Sequence, residues 1–317
     1  MLYAGLEASV PHLSPFTSAR PHVPRCGIRR PTCSALTERI TSLQNETIKH
    51  CVKLRSSASY RGEQGRMLLV SRTLVLDLAP HVHTSNLFAL SPEDVPEGTP
   101  HSNLTLVTPP VMRKLTGLQS VGPGTLAAEV LRNVYSHDLA SCGPRQLVLD
   151  GVQDPGNMGT LLRTALALGW TDVALLPGCC DPGNDKCLRA SQGASLRLRL
   201  VATEDVELAA SWKATGRMAF AAMVPEGTAV GRGGGAGKKG RALPSLDVAD
   251  GYPGGVALVL GAEGRGLSAS LARACLHLSV PMVPGSVQSL NVAVAGAILM
   301  AACSGAWPHL GEPQDGR

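Results

Sequence analysis

Past residue 145, short apolar runs alternate with stretches whose apolar positions fall three and four apart. Residues 146–150 read as a strand. Residues 160–168 read as a helix with Leu161, Leu162, Ala165 and Leu168 on one face, and Gly169 is placed to end it in a left-handed conformation. Residues 172–176 read as the next strand, and a strand–helix–strand unit of this kind predicts a parallel sheet. The pattern continues with a helix at 185–192 ended by Gly193. At 195–201, Leu196, Leu198 and Leu200 alternate with Arg197 and Arg199, which predicts a half-exposed strand. Val206, Leu208 and Trp212 mark a helix, and 218–223 a strand. Elements at 256–260, 268–274, 276–280 and 291–303 complete the series.

Upstream the pattern is looser. Residues 36–54 have helical character, with Ile40, Leu43, Ile48, Val52 and Leu54 set between Lys49, Lys53 and Arg55. Apolar runs follow at 67–70, 74–78 and 104–107, which predicts a small α/β domain. Residues 117–124 read as a hinge, with 126–128 as an alternative last strand of the first domain. Residues 1–37 differ again: Arg20, Arg25, Arg29 and Arg30 stand against one acid, Glu7, among many Ser, Thr and Pro. That composition fits an organelle transit peptide, chloroplast or mitochondrial; an unstructured N-terminus is the alternative. The expected division is therefore 1–37 transit peptide, 38–130 first domain, 131–144 linker, 145–308 second domain with a Gly-rich insertion at 225–250, and 309–317 tail.

A chain of 317 residues with 44% hydrophobic positions can bury a large core, and with 3% aromatics that core rests on Leu, Val and Ala. The formal charge of +5 permits a polyanionic partner without demanding one. No apolar run reaches the length of a membrane span, so no membrane partner is expected. Nine cysteines, an odd number and without a Cys-x-x-Cys pair, predict reduced thiols rather than a disulfide framework or a metal site. Cys179, Cys180 and Cys187 lack a fourth ligand at metal spacing. Residues 231–240 fail the phosphate-loop spacing, and 261–266 fail the dinucleotide fingerprint.

Three polar junctions carry the candidate chemistry. They are Asp154-Pro155-Gly156-Asn157-Met158-Gly159, Leu260-Gly261-Ala262-Glu263-Gly264, and Pro281-Met282 followed by Ser289-Leu290-Asn291-Val292-Ala293. Each sits at the carboxyl end of an apolar run, where open α/β sheets place ligand sites. Taken singly, each polar residue has a structural use. Asn157 serves as a turn residue or cap, Arg163 as an exposed helix charge, Glu263 as a helix-approach residue, and Ser289 or Asn291 as a cap for the last helix.

Taken in order and spacing, Asn157-x-Gly159-x-x-x-Arg163, Leu260-Gly261-x-Glu263-Gly264-x-Gly266 and the 281–293 segment resemble the three motifs of the SpoU (TrmH-like) RNA methyltransferases of the SPOUT class. Residues 186–194, with Arg189, Ser191 and Gly193, resemble the segment between that family's first two motifs. Residues 38–130 more loosely resemble its L30e-like substrate-binding domain. The resemblance implies an α/β fold, a parallel sheet with helices on both faces and a C-terminal trefoil knot. It implies S-adenosylmethionine as methyl donor, held by Leu260, Gly261, Val280, Met282 and Leu290, with Gly261 admitting the ligand close to the backbone. It implies a homodimer that methylates a ribose 2′-hydroxyl in RNA, ribosomal RNA before transfer RNA.

The site residues implied are Arg163, Asn157, Glu263, Ser289 and Asn291. A guanidinium, with a pKa above ~12, does not readily act as a base; Arg163 is better suited to hold a phosphate and stabilise alkoxide charge. Asn157 is expected to hold Arg163 or the ribose. Lys49, Lys53, Arg55, Arg61, Arg66, Arg197 and Arg199 are candidate phosphate contacts or solvated helix charges. The rival readings are a catalytically silent RNA-binding relative and a base methyltransferase of a related knotted class.

Overall fold

Backbone pairing divides the strands between two sheets. The computed structural model describes residues 38–132, 135–136, 138–223, 241–242, 252, 254–262, 266–283 and 287–304. The expected transit peptide, the tail, nearly all of the Gly-rich insertion and Glu263 lie outside them.

The first sheet holds β1 (Glu38–Ile40), β2 (Arg66–Val70), β3 (Thr84–Ala89), β4 (Asn103–Val107) and β5 (Ala127–Leu131) in the order β1-β4-β3-β5-β2. The first three strands in that order are parallel, and β5 runs antiparallel to both its neighbours. Successive side chains of β2 point to opposite faces. Leu68 and Val70 meet Ile48, Cys51 and Leu54 of helix α1 (Glu46–Ser56) and Val111, Met112 and Leu115 of α4 (Pro109–Thr116). Met67 and Leu69 meet Leu74, Val75 and Leu78 of α3 (Arg72–Leu78). A short α2 (Ala58–Gln64) follows α1.

Two expectations are corrected here. Residues 36–54 are not one helix: β1 comes first, and α1 starts after Asn45, whose side chain accepts from the N–H groups of Thr47 (2.8 Å) and Ile48 (3.4 Å). That cap halts the helix where periodicity alone would carry it backwards. Residues 117–124 are not a hinge between the sheets, because β5 follows them and pairs within the first sheet.

The second sheet holds β6 (Arg145–Asp150), β7 (Asp172–Leu175), β8 (Arg199–Ala202), β9 (Met218–Ala222), β10 (Arg241–Ala242), β11 (Val256–Gly261) and β12 (Leu276–Ser279). Their order is β10-β12-β9-β11-β6-β7-β8, and every pairing is parallel. Such strands are buried on both faces, and β6, β7 and β11 are buried almost throughout, with Gln146, Asp150 and Asp172 as the polar exceptions to an apolar lining. Helices α5 (Pro155–Ala167), α6 (Asp185–Ser191) and α9 (Val292–Cys303) cover one face; α7 (Asp205–Thr215) and α8 (Ala269–Ala274) cover the other. The expected α/β class, a parallel sheet flanked by helices, is borne out. Among the described residues no helix is long and apolar enough to cross a membrane, and no group of three or more His, Cys, Asp or Glu is arranged to hold a metal ion.

The two sheets share packing. Leu188 of α6 and Leu196 join the first sheet's core beside Leu78, and a Cβ on Gly193 would lie 2.5 Å from Leu78 Cδ1. The strand expected at 195–201 is therefore corrected. A 3₁₀ turn spans Ala194–Leu196 and β8 begins only at Arg199. Leu196 turns into one core, whereas Leu198 and Leu200 turn into the other. A simple alternation in sequence concealed two separate hydrophobic destinations.

Helices α5 and α6 approach closely at Gly159, where a Cβ would lie 2.6 Å from Ala190 Cβ and 2.7 Å from the Cys187 carbonyl oxygen. The second neighbour is backbone and cannot turn aside. Gly159→Ala is expected to lose about 1–3 kcal/mol by overpacking. Urea unfolding measures this, and an unchanged midpoint would show that the helices can part without cost.

Candidate functional site

In an all-parallel sheet the carboxyl ends of the strands share one edge. Here that edge carries Asp150 at the end of β6, Gly261 at the end of β11 and Val280 just past β12. Gly261 stands opposite Asp150 in the β11–β6 register. The first and third sequence junctions meet beside this edge.

The first junction is more helical than expected. Asp154 caps α5 by accepting from the Asn157 N–H at 2.8 Å, and Pro155 supplies the first helical residue. Asn157 therefore lies in the first turn of α5 rather than in a loop. The same hydrogen bond, aided by Lys186 Nζ at 3.3 Å, holds the Asp154 carboxyl below its ordinary pKa.

Asn291 caps α9. Its Oδ1 accepts from the N–H groups of Ala293 (2.8 Å) and Val294 (3.4 Å). With the oxygen committed there, the amide nitrogen points outward and donates to Asn157 Oδ1 at 3.0 Å. One side chain thus caps one helix and ties it to the N-terminus of another, across 134 residues of sequence. Ser289, just before, is exposed and Leu290 is half-buried.

Arg163 stands apart from this pair. A helix advances 1.5 Å and 100° per residue, so Arg163 sits about 9 Å further along α5 and roughly 120° around it from Asn157. It is exposed and, among the described residues, makes no hydrogen bond or ion pair. Asn157 therefore does not hold Arg163. The guanidinium instead borders an open groove of about 440 Å³ lined by Thr160, Thr164, Ala167, Ala190 and Ala297 of α9.

The five residues expected around a cofactor divide into two kinds. Val280, Met282 and Leu290 are half-buried and keep apolar surface open near the sheet edge. The Leu260 side chain is 1% exposed and packs in the core, where a Cβ on Gly296 would lie 2.6 Å from its Cδ1. Only the backbone of Leu260 is placed to meet a ligand. At Gly261 a Cβ would strike Gly266 C and O at 2.7 Å, so the chain's own backbone also requires a glycine there. Gly266 folds back through its N–H to the Ala262 carbonyl at 3.0 Å and closes a turn against the end of β11.

Sequence reasoning missed Asp150. Its carboxylate is 4% exposed and accepts from the Ser268 N–H at 2.8 Å, which anchors the far side of that turn. A lone Asp at a strand end carries no sequence signal for this. The cap at Asp154 was legible, being an Asp directly before a Pro that opens a helix.

The basic residues are also redistributed. Arg61 is 1% exposed and bound to Asp181. Arg66 pairs with Glu129 at 3.0 Å. Arg199 pairs with Asp172 at 2.7 Å and holds Ser136 and Ser141 of the preceding segment. These three serve the fold and are not free for phosphate. Lys53 is exposed, with its ammonium 5.6 Å from the Tyr60 ring centre, and Arg197 is exposed.

Polar side chains gathered from distant segments at the carboxyl edge of a parallel sheet place the protein among the open α/β folds, in which ligands bind at that edge. Comparison with known proteins narrows the class. Residues 144–301 match the SpoU rRNA Methylase family. An uncharacterized tRNA/rRNA methyltransferase of Synechocystis is 29% identical over 272 residues, 82% of this chain and 91% of the relative. A 23S rRNA guanosine-2′-O-methyltransferase of Bacillus subtilis is 36% identical over 155 residues, 49% of this chain and 55% of the relative, so the chain spans about half of that protein. The solved structure of a TrmH-family RNA methyltransferase from Porphyromonas gingivalis, 28% identical, superposes with a TM-score of 0.66 over 81% of this chain and 96% of its own. The chain belongs to the SpoU family of RNA methyltransferases.

Two substitutions separate the duties of Asn291. Asn291→Ala removes the cap and is expected to lower stability by about 1 kcal/mol. Asn291→Asp keeps the capping oxygen but loses the donor to Asn157, so its thermal midpoint should stay near the wild-type value while the α5–α9 link is broken. Equal losses in the two variants would mean that the cap is not the stabilising part.

Proposed function

We propose that this protein transfers a methyl group from S-adenosylmethionine to a ribose 2′-hydroxyl in structured RNA, ribosomal RNA before transfer RNA, and that it does so as a homodimer in an organelle. The observation that carries the reading is the 3.0 Å bond between Asn291 and Asn157. It joins the first and third family motifs at the sheet edge where ligands of open α/β proteins bind.

The residues present fit the cofactor. Val280, Met282 and Leu290 offer half-buried apolar surface for an adenine ring, and strand-end backbone near Leu260 and Met282 is suited to read its edge. When bound, the cofactor supplies an activated methyl on a sulfonium, so the protein's part is to bind and orient. The ribose hydroxyl is a weak nucleophile that gains from a fixed line of attack and help in losing its proton. Arg163, open on α5, is suited to grip the neighbouring phosphate with its fork and to stabilise negative charge growing on the ribose oxygen. Asn157, Asn291, Ser289 and Glu263 form the rest of the polar cluster in this reading.

The homodimer reading draws on α9. Its twelve residues, Val292–Cys303, include no charged or amide side chain, and Val294 is 50% exposed. A second copy seated on this face would also border the Arg163 groove through Ala297. The knot reading draws on topology: β12 is added beyond β9, and Asn291, which follows it in sequence, lies again at the side of α5. In this scheme 38–130 is the L30e-like substrate-binding domain, 145–308 is the methyltransferase domain, and 1–37 directs import.

Arg163→Ala is expected to abolish methyl transfer while S-adenosylmethionine still binds, as calorimetry would record; near-normal turnover would remove Arg163 from the mechanism. Light scattering is expected to give a dimer, and Val294→Glu, which places a charge on the apolar face, should shift it towards monomer. A monomeric wild-type protein at working concentration contradicts the assembly.

A further inference from the structure

Asp181 lies in the turn that leads from β7 into α6 and is gripped by residues of the first sheet's lobe. Arg61 of α2 reaches its Oδ2 through Nε at 2.7 Å and through a second guanidinium nitrogen at 2.7 Å. Arg132, just past β5, reaches its Oδ1 at 3.2 Å. The third Arg61 nitrogen donates to the carbonyls of Leu54 (2.7 Å) and Arg55 (3.1 Å) at the end of α1. Arg132 also donates to the Tyr135 hydroxyl at 2.7 Å and lies over that ring, 4.9 Å from its centre. Asp181 in turn accepts from the Gly183 N–H at 2.9 Å, which holds the carboxylate in place.

Adhesion between the two parts already has a source in the packing of Leu188 and Leu196 against Leu78. Apolar contact is non-directional, and a buried ion pair is weak grounds for net stability because both partners lose water. What a guanidinium fork on a carboxylate adds is direction. This fork lies where direction matters. Lys186, a little further along the same segment, pairs with Asp154, the cap of α5. The α6 helix that follows presses on Gly159 of α5, the helix that carries Asn157 and Arg163.

We infer that Asp181, Arg61 and Arg132 are positioning residues: their clasp sets the angle at which the first sheet's lobe presents RNA to the α5–α9 site. The inference rests on the methyltransferase reading above. An RNA that touches both parts gains from the second contact only when the spacing of the two matches its own shape. Loosening the clasp therefore weakens productive RNA engagement, not cofactor binding and not the chemistry once RNA saturates.

The test uses the full chain, an in vitro transcript of large-subunit ribosomal RNA and labelled S-adenosylmethionine. The Arg61→Met/Asp181→Leu double variant replaces the buried pair with apolar residues of similar volume, and Arg132, released from the carboxylate, keeps the Tyr135 hydroxyl as its partner. Its KM for RNA is expected to rise about tenfold, with kcat within twofold and cofactor affinity unchanged. Small-angle scattering should show a wider spread of distances between the lobes. Asp181→Asn, which keeps the shape and loses the charge, provides a second variant should the first fold poorly, and Arg61→Lys should fall between it and wild type. A fall in kcat with an unchanged KM would mean fewer folded molecules and would overturn the proposal. If the wild-type chain transfers no methyl to RNA, the enzymatic reading fails, and scattering alone decides the clasp: identical curves for wild type and double variant refute it.

Discussion

A parallel sheet places every strand's carboxyl end on the same edge, and the candidate site depends on that constraint. Asp150, Gly261 and Val280 come from three strands, β6 far in sequence from β11 and β12, yet they share an edge because β6, β11 and β12 run the same way. The loops beyond them need internal support, since loop backbone lacks a ladder to satisfy it. Asp150 supplies one support through the Ser268 amide. Asn291 supplies another by capping α9 and binding Asn157 with a single side chain. Preorganisation of this kind lets polar groups act on a ligand without first rearranging.

The same economy joins the two sheets. Leu196 and Leu188 belong by sequence to the second sheet's segment but lie in the first sheet's core. Apolar burial holds the parts together; the Arg61–Asp181–Arg132 cluster selects one arrangement among those that burial alone would permit. Arg199 does comparable work on the 136–141 segment, which it fastens to β8 through Ser136 and Ser141. Net charge said little about partners for this reason. Several of the basic side chains in the basic-looking N-terminal stretch are committed to carboxylates of the fold.

Periodicity and local chemistry determined a good deal. They specified the β6–α5–β7 unit, the glycine that ends α5, the alternation of strand and helix that makes the sheet parallel, and the spacing of Asn157, Arg163 and Asn291 that marks the family. These are short-range properties: a helix face, a cap and a motif are each written within a few residues. Tertiary structure decided the rest. It turned Leu196 away from its alternating neighbours, set Gly266 against the place a Gly261 side chain would take, and buried the Leu260 side chain in the core. It also paired Arg61 with a carboxylate 120 residues away. The physical reason is common to all of these. Whether a side chain meets solvent, a ligand or another side chain depends on what the fold brings opposite it, and that partner is not encoded at the residue's own position.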